Sequence, residues 1–138
     1  MILENRFSRN SIAWWQIGCL LLLLFVFLQH LLDATPAYVL VRLRVDRGLL
    51  ALALWILPVG AAYVASHYSS KHGWLLGLSY AFLLPVFAVV VHYSFIVLGV
   101  NVDFRGSAGL MVVFQVYFVL GSIATIVGTL VGRMSASQ

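Results

Sequence analysis

Charged side chains are almost missing from this 138-residue chain: Asp, Glu, Lys and Arg make up 9% of it. That is too few to cover the surface of a water-soluble domain of this length. Their placement says more than their number. Residues 11–32, 48–67, 74–99 and 107–132 contain none at all, while every charged residue falls in the segments between or flanking them. Each run has at least 20 residues, enough for a helix rising ~1.5 Å per residue to span a ~30 Å hydrocarbon core. The runs are apolar all round rather than alternating, which excludes the strands of a transmembrane β-barrel. The expected fold is all-α: a four-transmembrane-helix bundle, one domain over residues 1–138.

Other absences narrow the function. A single cysteine, Cys19, excludes an internal disulfide; inside an apolar run it reads as a small buried residue. No Asn-x-Ser/Thr acceptor, Gly-rich phosphate loop, Cys/His metal spacing or Ser/His/Asp set is present. No Asp, Glu, Lys or Arg lies within a run, which argues against a proton- or cation-coupled pump built on an intramembrane charge. The net charge of +4 has no face on which to gather for nucleic acid; cations at membrane borders set topology and meet lipid phosphates. The first run, preceded by Arg6 and Arg9, exceeds a signal-peptide h-region. Pro36 beside the only cleavage-like site, Thr35-Pro36-Ala37, is unfavourable, so the run reads as a retained helix.

Four crossings put both termini and the 69–73 turn on one side. Trp14, Trp15, Tyr68 and Trp74 gather at that border, where amphipathic rings prefer to sit. Cations do not orient the bundle: Arg6, Arg9, Lys71 and Arg133 on one side balance Arg42, Arg44, Arg47 and Arg105 on the other. Asp33, Asp46 and Asp103 on the second side tilt the expectation towards cytoplasmic termini in a plasma (inner) membrane.

What the runs do contain points to packing. Gly121, Thr125, Gly128 and Gly132 recur at spacings of four, three and four, one stripe of a helix that invites close backbone approach. Gly77, Ala81 and Ala88 in the third run, and Gly60, Ala61 and Ala65 in the second, offer matching small residues. Residues 20–28 have none, so the first helix is expected at the periphery. Pro58 and Pro85, each near mid-membrane, should kink their helices. In the 33–47 connector, Thr35-Pro36 reads as a helix start with proline at the first helical position. The alternation of Val41, Leu43 and Val45 with Arg42, Arg44 and Asp46 reads as an extended strand in the headgroup layer. Arg42, Arg44 and Arg47 are there the candidate contacts for lipid or a partner.

Among the few polar residues inside runs, His30 and His92 share one half of the membrane with Gln29, Tyr93 and Gln115. The two histidines differ in depth by roughly 7–8 Å at about 1.5 Å per residue. Both can reach one polar pocket, with Gln115 beside them and Asp33 or Asp103 at its mouth. Imidazoles ligate haem and metals, but axial haem ligands need matched depth. The expectation is shared proximity with no bound haem or metal.

Functionally these features favour a non-catalytic accessory or scaffold subunit that packs against a larger membrane complex or against itself. The alternatives are an oligomeric channel or carrier for a neutral or anionic solute, and a haem- or quinone-binding electron-transfer subunit. Membrane lipids are the other expected partner.

Overall fold

The computed structural model describes residues 9–69, 72–100, 102–103 and 106–138. Arg6, Lys71 and Arg105, three of the cations counted above, lie outside the described residues. In chain order the helices are α1 (Arg9–Ala34), α2 (Ala37–Arg42), α3 (Arg47–Leu54), α4 (Ile56–His67), α5 (Gly73–Val97) and α6 (Gly106–Ala136). No strand occurs among the described residues. Four spans are long and apolar enough to cross a membrane: α1, α3 with α4, α5 and α6. The chain is an all-α, four-helix membrane bundle.

The α4 and α5 helices pack on each other; α1 lies against both, and so does α6. Phe25 and His30 of α1 meet α6 through the ring of Tyr117. One end of the bundle closes by small residues. A Cβ at Gly128 would strike the Val59 carbonyl and the Ala62 methyl, and one at Gly132 would meet the Tyr63 carbonyl and Ser66. With little hydrophobic drive between helices in lipid, such close contact carries the association. The side chain of Ser66 donates to the Thr129 carbonyl at 3.0 Å. Across α1 and α5, the Tyr80 hydroxyl donates to the Trp15 carbonyl (2.6 Å) and the Trp15 indole to Ser79 (2.9 Å). Gly60, expected among the packing residues, has open space where its Cβ would stand. Ala61, Ala62 and Ala65 take the buried face of α4 instead.

Two expectations need correction. The first helix is not simply peripheral: Leu22, Phe25 and Val26 have no exposed surface, while Leu20, Leu24 and Phe27 point outward. Spacings of three and four put the first set on one helical face. Large side chains, not small ones, make this contact. The second span is interrupted beside its proline. Pro58 stands at the third position of α4 and cannot donate to the carbonyl four residues back, Leu54, where α3 ends. There Trp55 N–H donates to Leu52 (3.1 Å), a tighter i→i−3 bond. Pro85 sits within an unbroken α5.

The connector is not a strand. Pro36 (φ −60°, ψ 142°) precedes α2 as its N-cap, one position before the expected place. Thr35 turns its hydroxyl back to the Leu31 carbonyl (2.7 Å) instead of capping α2. The helix ends in a Schellman turn, with Val45 N–H on the Leu40 carbonyl (3.0 Å), Arg44 N–H on the Val41 carbonyl (3.1 Å) and Arg44 left-handed at φ 54°. Asp46 then caps α3, accepting from Leu49 N–H at 2.9 Å. A helix end, a turn and a cap together mimic period-two alternation over a few residues.

A candidate polar cavity at the connector end

Helical spacing alone aims the polar residues of this end inward. On α1 the buried stripe of Leu22, Phe25 and Val26 continues through Gln29 and His30, with Asp33 one turn on. On α5, Ala81, Leu84 and Ala88 continue through His92 and Phe95. His30 and His92 are 4% and 3% exposed. They meet: His30 Nε2 lies 3.1 Å from His92 Nδ1, with ring centroids 5.1 Å apart.

The tautomers follow from the partners. His30 Nδ1 lies 2.8 Å from the Val26 carbonyl, which can only accept, so neutral His30 carries its proton on Nδ1. Its Nε2 is then an acceptor, and His92 donates to it from Nδ1. Tyr117 stacks over His30, with centroids 6.0 Å apart and planes at 14°, and Phe95 meets it edge-on at 5.7 Å. The imidazoles are thus fixed by packing as well as by hydrogen bonds.

Beside them is a cavity of about 330 Å³. Its polar lining is Gln29, His30, His92, Tyr117, Asp33 and Asp103; Trp55 and the valines 102, 112, 113 and 116 complete the wall with Leu120. Gln29 spends an amide N–H on the Ala51 carbonyl (2.7 Å), tying α1 to α3. Both aspartates are exposed, so the carboxylates stand at the entrance and the imidazoles on the floor. Below the floor the core is filled: Leu22, Phe25, Tyr80, Leu84 and Ala88 have no exposed surface.

The structure therefore brings His30, His92, Asp33 and Asp103 together. Gln115 does not join them; it is exposed on the outer face of α6, two positions from Tyr117, which takes the inner place. Trp55 and Tyr117 are the lining residues that sequence reasoning passed over. Tyr117 lies four residues from buried Val113, a spacing that could have revealed it. Of the three connector arginines, Arg42 and Arg44 are exposed, but Arg47 is half-buried and donates to the Thr35 carbonyl, clasping the connector to the end of α1. Gly121, Thr125, Gly128 and Gly132 are all buried on α6, facing α4 and α5. His67 is a packed residue of the opposite end, stacked on Tyr63 with Nδ1 3.3 Å from the Gly132 carbonyl.

Among the described residues no group of three or more His, Cys, Asp or Glu side chains is placed to hold a metal ion. His30 and His92 hydrogen-bond to each other at 3.1 Å. No protein-family model matches the chain, and no curated protein or solved structure is significantly similar to it.

Proposed function

We propose that this chain is a non-catalytic membrane protein that binds a small cationic, hydrogen-bond-donating ligand in the cavity between α1, α5 and α6. The observation that carries the reading is the imbalance of its polar lining. Asp33 and Asp103 present carboxylates that only accept. The hydrogen bond of His30 to the Val26 carbonyl commits both Nδ1 protons of the dyad, that of His30 to Val26 and that of His92 to His30. Gln29 has directed an N–H away, to Ala51. The Tyr117 hydroxyl, the Trp55 indole N–H and one Gln29 amide hydrogen are the donors left, all of them neutral, against two carboxylates. A ligand that complements this lining brings positive charge, and the aromatic rings of Trp55 and Tyr117 beside the carboxylates suit a cation as well. The same imbalance weighs against an anionic solute. Among the described residues no serine, threonine or cysteine lines the cavity, which favours binding over covalent catalysis, and the filled core beneath it weighs against a conduit through a single copy.

The test is titration of the protein in nanodiscs with ethylammonium, acetate serving as the anionic control, followed by calorimetry or NMR. Ethylammonium is expected to bind and acetate not. Asp33→Asn and Asp103→Asn should each weaken binding about tenfold, equivalent to ~1.4 kcal/mol. Equal binding of both ions, or indifference to both substitutions, refutes the reading.

A second reading rests on the connector, where Tyr38, Val41 and Leu43 are exposed beside Arg42 and Arg44. Apolar side chains interleaved with arginines suit a headgroup layer or a partner subunit, the accessory role expected from sequence. Replacing Arg42 and Arg44 with glutamine should leave the bundle folded and reduce association with anionic lipid or co-purification of a partner.

A further inference from the structure

A second cavity, of about 290 Å³, is a wholly different environment. It is an apolar groove with Leu52 and Val59 on one wall and Ile123 and Val127 on the other, and no charged side chain among the described residues lines it. Trp55 and Leu120 line both this groove and the polar cavity. The two spaces are therefore neighbours, with those side chains as their common wall. Along α6 the groove runs from Leu120 to Val127, about 10 Å at 1.5 Å per residue, and it leads away from the Asp33 and Asp103 entrance. Leu52, Ile123 and Val127 are also exposed on the lipid-facing surface, so a chain can enter sideways from the bilayer.

We propose that the ligand is a membrane amphiphile, a protonated amine on an alkyl chain, whose head occupies the polar cavity while its tail lies in the groove between α3/α4 and α6. This rests on the cationic-ligand reading above and adds the source of the ligand, the bilayer itself. The order of the two compartments matches the membrane. Carboxylates stand at the connector end, where headgroups lie, and the groove descends from there into the hydrocarbon. A free water-soluble amine would use the cavity and leave the groove unused; a fatty acid would fill the groove and set its carboxylate against Asp33 and Asp103. An amine-headed chain satisfies both compartments at once.

The test uses dodecylamine bearing a mid-chain diazirine, photolysed with the full-length protein in phosphatidylcholine nanodiscs, and adducts mapped by mass spectrometry. Adducts are expected within residues 52–59 and 120–127, suppressed by unlabelled dodecylamine and not by dodecanoate. Val127→Trp, a ring added at an exposed groove position, should abolish groove labelling and leave ethylammonium binding as in the wild type. Scattered or unsaturable adducts with ethylammonium still bound would overturn the tail assignment and spare the cavity reading. Suppression by dodecanoate as strong as by dodecylamine would sever head from tail and also overturn it. Failure of ethylammonium to bind, with Asp33→Asn inert, would overturn both.

Discussion

The two ends of this bundle are built on opposite rules. At the end holding the C-terminus of α6, glycine and alanine let α4 and α6 touch backbone to side chain, as where Gly128 faces the Val59 carbonyl. At the connector end, rings stand between the helices: Phe25, Trp55 and Tyr117 form a cluster with centroids 4.7–6.1 Å apart, and His30 and His92 adjoin it. Small residues draw helices together until no space remains, whereas rings hold them apart and leave a space that their edges cannot fill. Within one bundle, the first rule makes a rigid seam and the second makes a cavity.

The largest effect should come from breaking the seam. Gly128→Leu drives a side chain into the Val59 carbonyl, a backbone atom that cannot swing aside. Overpacking of this kind costs about 3 kcal/mol, visible as a large fall in thermal midpoint in detergent. Gly60 is the matched control on the neighbouring helix. With open space at its Cβ position, Gly60→Ala should be neutral or stabilise by up to about 1 kcal/mol through helix propensity. Equal destabilisation by both substitutions would erase the distinction between seam and surface.

The ringed end should tolerate change better while losing its binding. His92→Leu removes the hydrogen bond to His30 and leaves one imidazole nitrogen without its donor, a cost of about 1–2 kcal/mol. Ligand affinity should fall while the fold persists, as read by paired melting and ethylammonium titration. A melt as severe as that of Gly128→Leu would mean that the dyad is a structural clamp.

Smallest of all are the turns, which offer a comparison within a comparison. Gly99 and Arg44 occupy the same left-handed place in two Schellman turns, at φ 76° and φ 54°, each followed by an N–H bonded five residues back at 3.0 Å. Glycine takes that conformation freely and other residues do not. Gly99→Ala should destabilise and Arg44→Gly should stabilise, each by about 1 kcal/mol, measurable by denaturation in mixed micelles. No gain from Arg44→Gly would mean that the arginine side chain compensates its own backbone.

Much of the architecture was legible beforehand because membrane physics is strict. A charge-free run of 20 residues has few alternatives to a spanning helix, and the ends observed for α1, α5 and α6 lie within four residues of those expected. The stripe from Gly121 to Gly132 was readable as a packing face because helical period maps sequence onto one side. The pairing of His30 with His92 was anticipated from depth alone. Gln115 was misplaced for the complementary reason. Depth says how far along a helix a residue lies, and not towards which neighbour it turns. The strand expected at residues 41–46 failed because six residues of alternation cannot distinguish a pleat from a helix end, a left-handed turn and an Asp46 cap.

What the sequence by itself determined is the class, an all-α bundle of four membrane-spanning segments, together with the glycine face of α6. Both follow from local rules: hydrocarbon rejects charge and unpaired backbone, and small side chains permit approach. Only the tertiary structure decided that α1 contributes Leu22, Phe25 and Val26 to the core, that Tyr117 rather than Gln115 covers His30, and that a polar cavity and an apolar groove share Trp55 and Leu120 as a common wall. These depend on the rotation of each helix about its axis, which is set by how side chains from distant segments pack. No single apolar run carries that information.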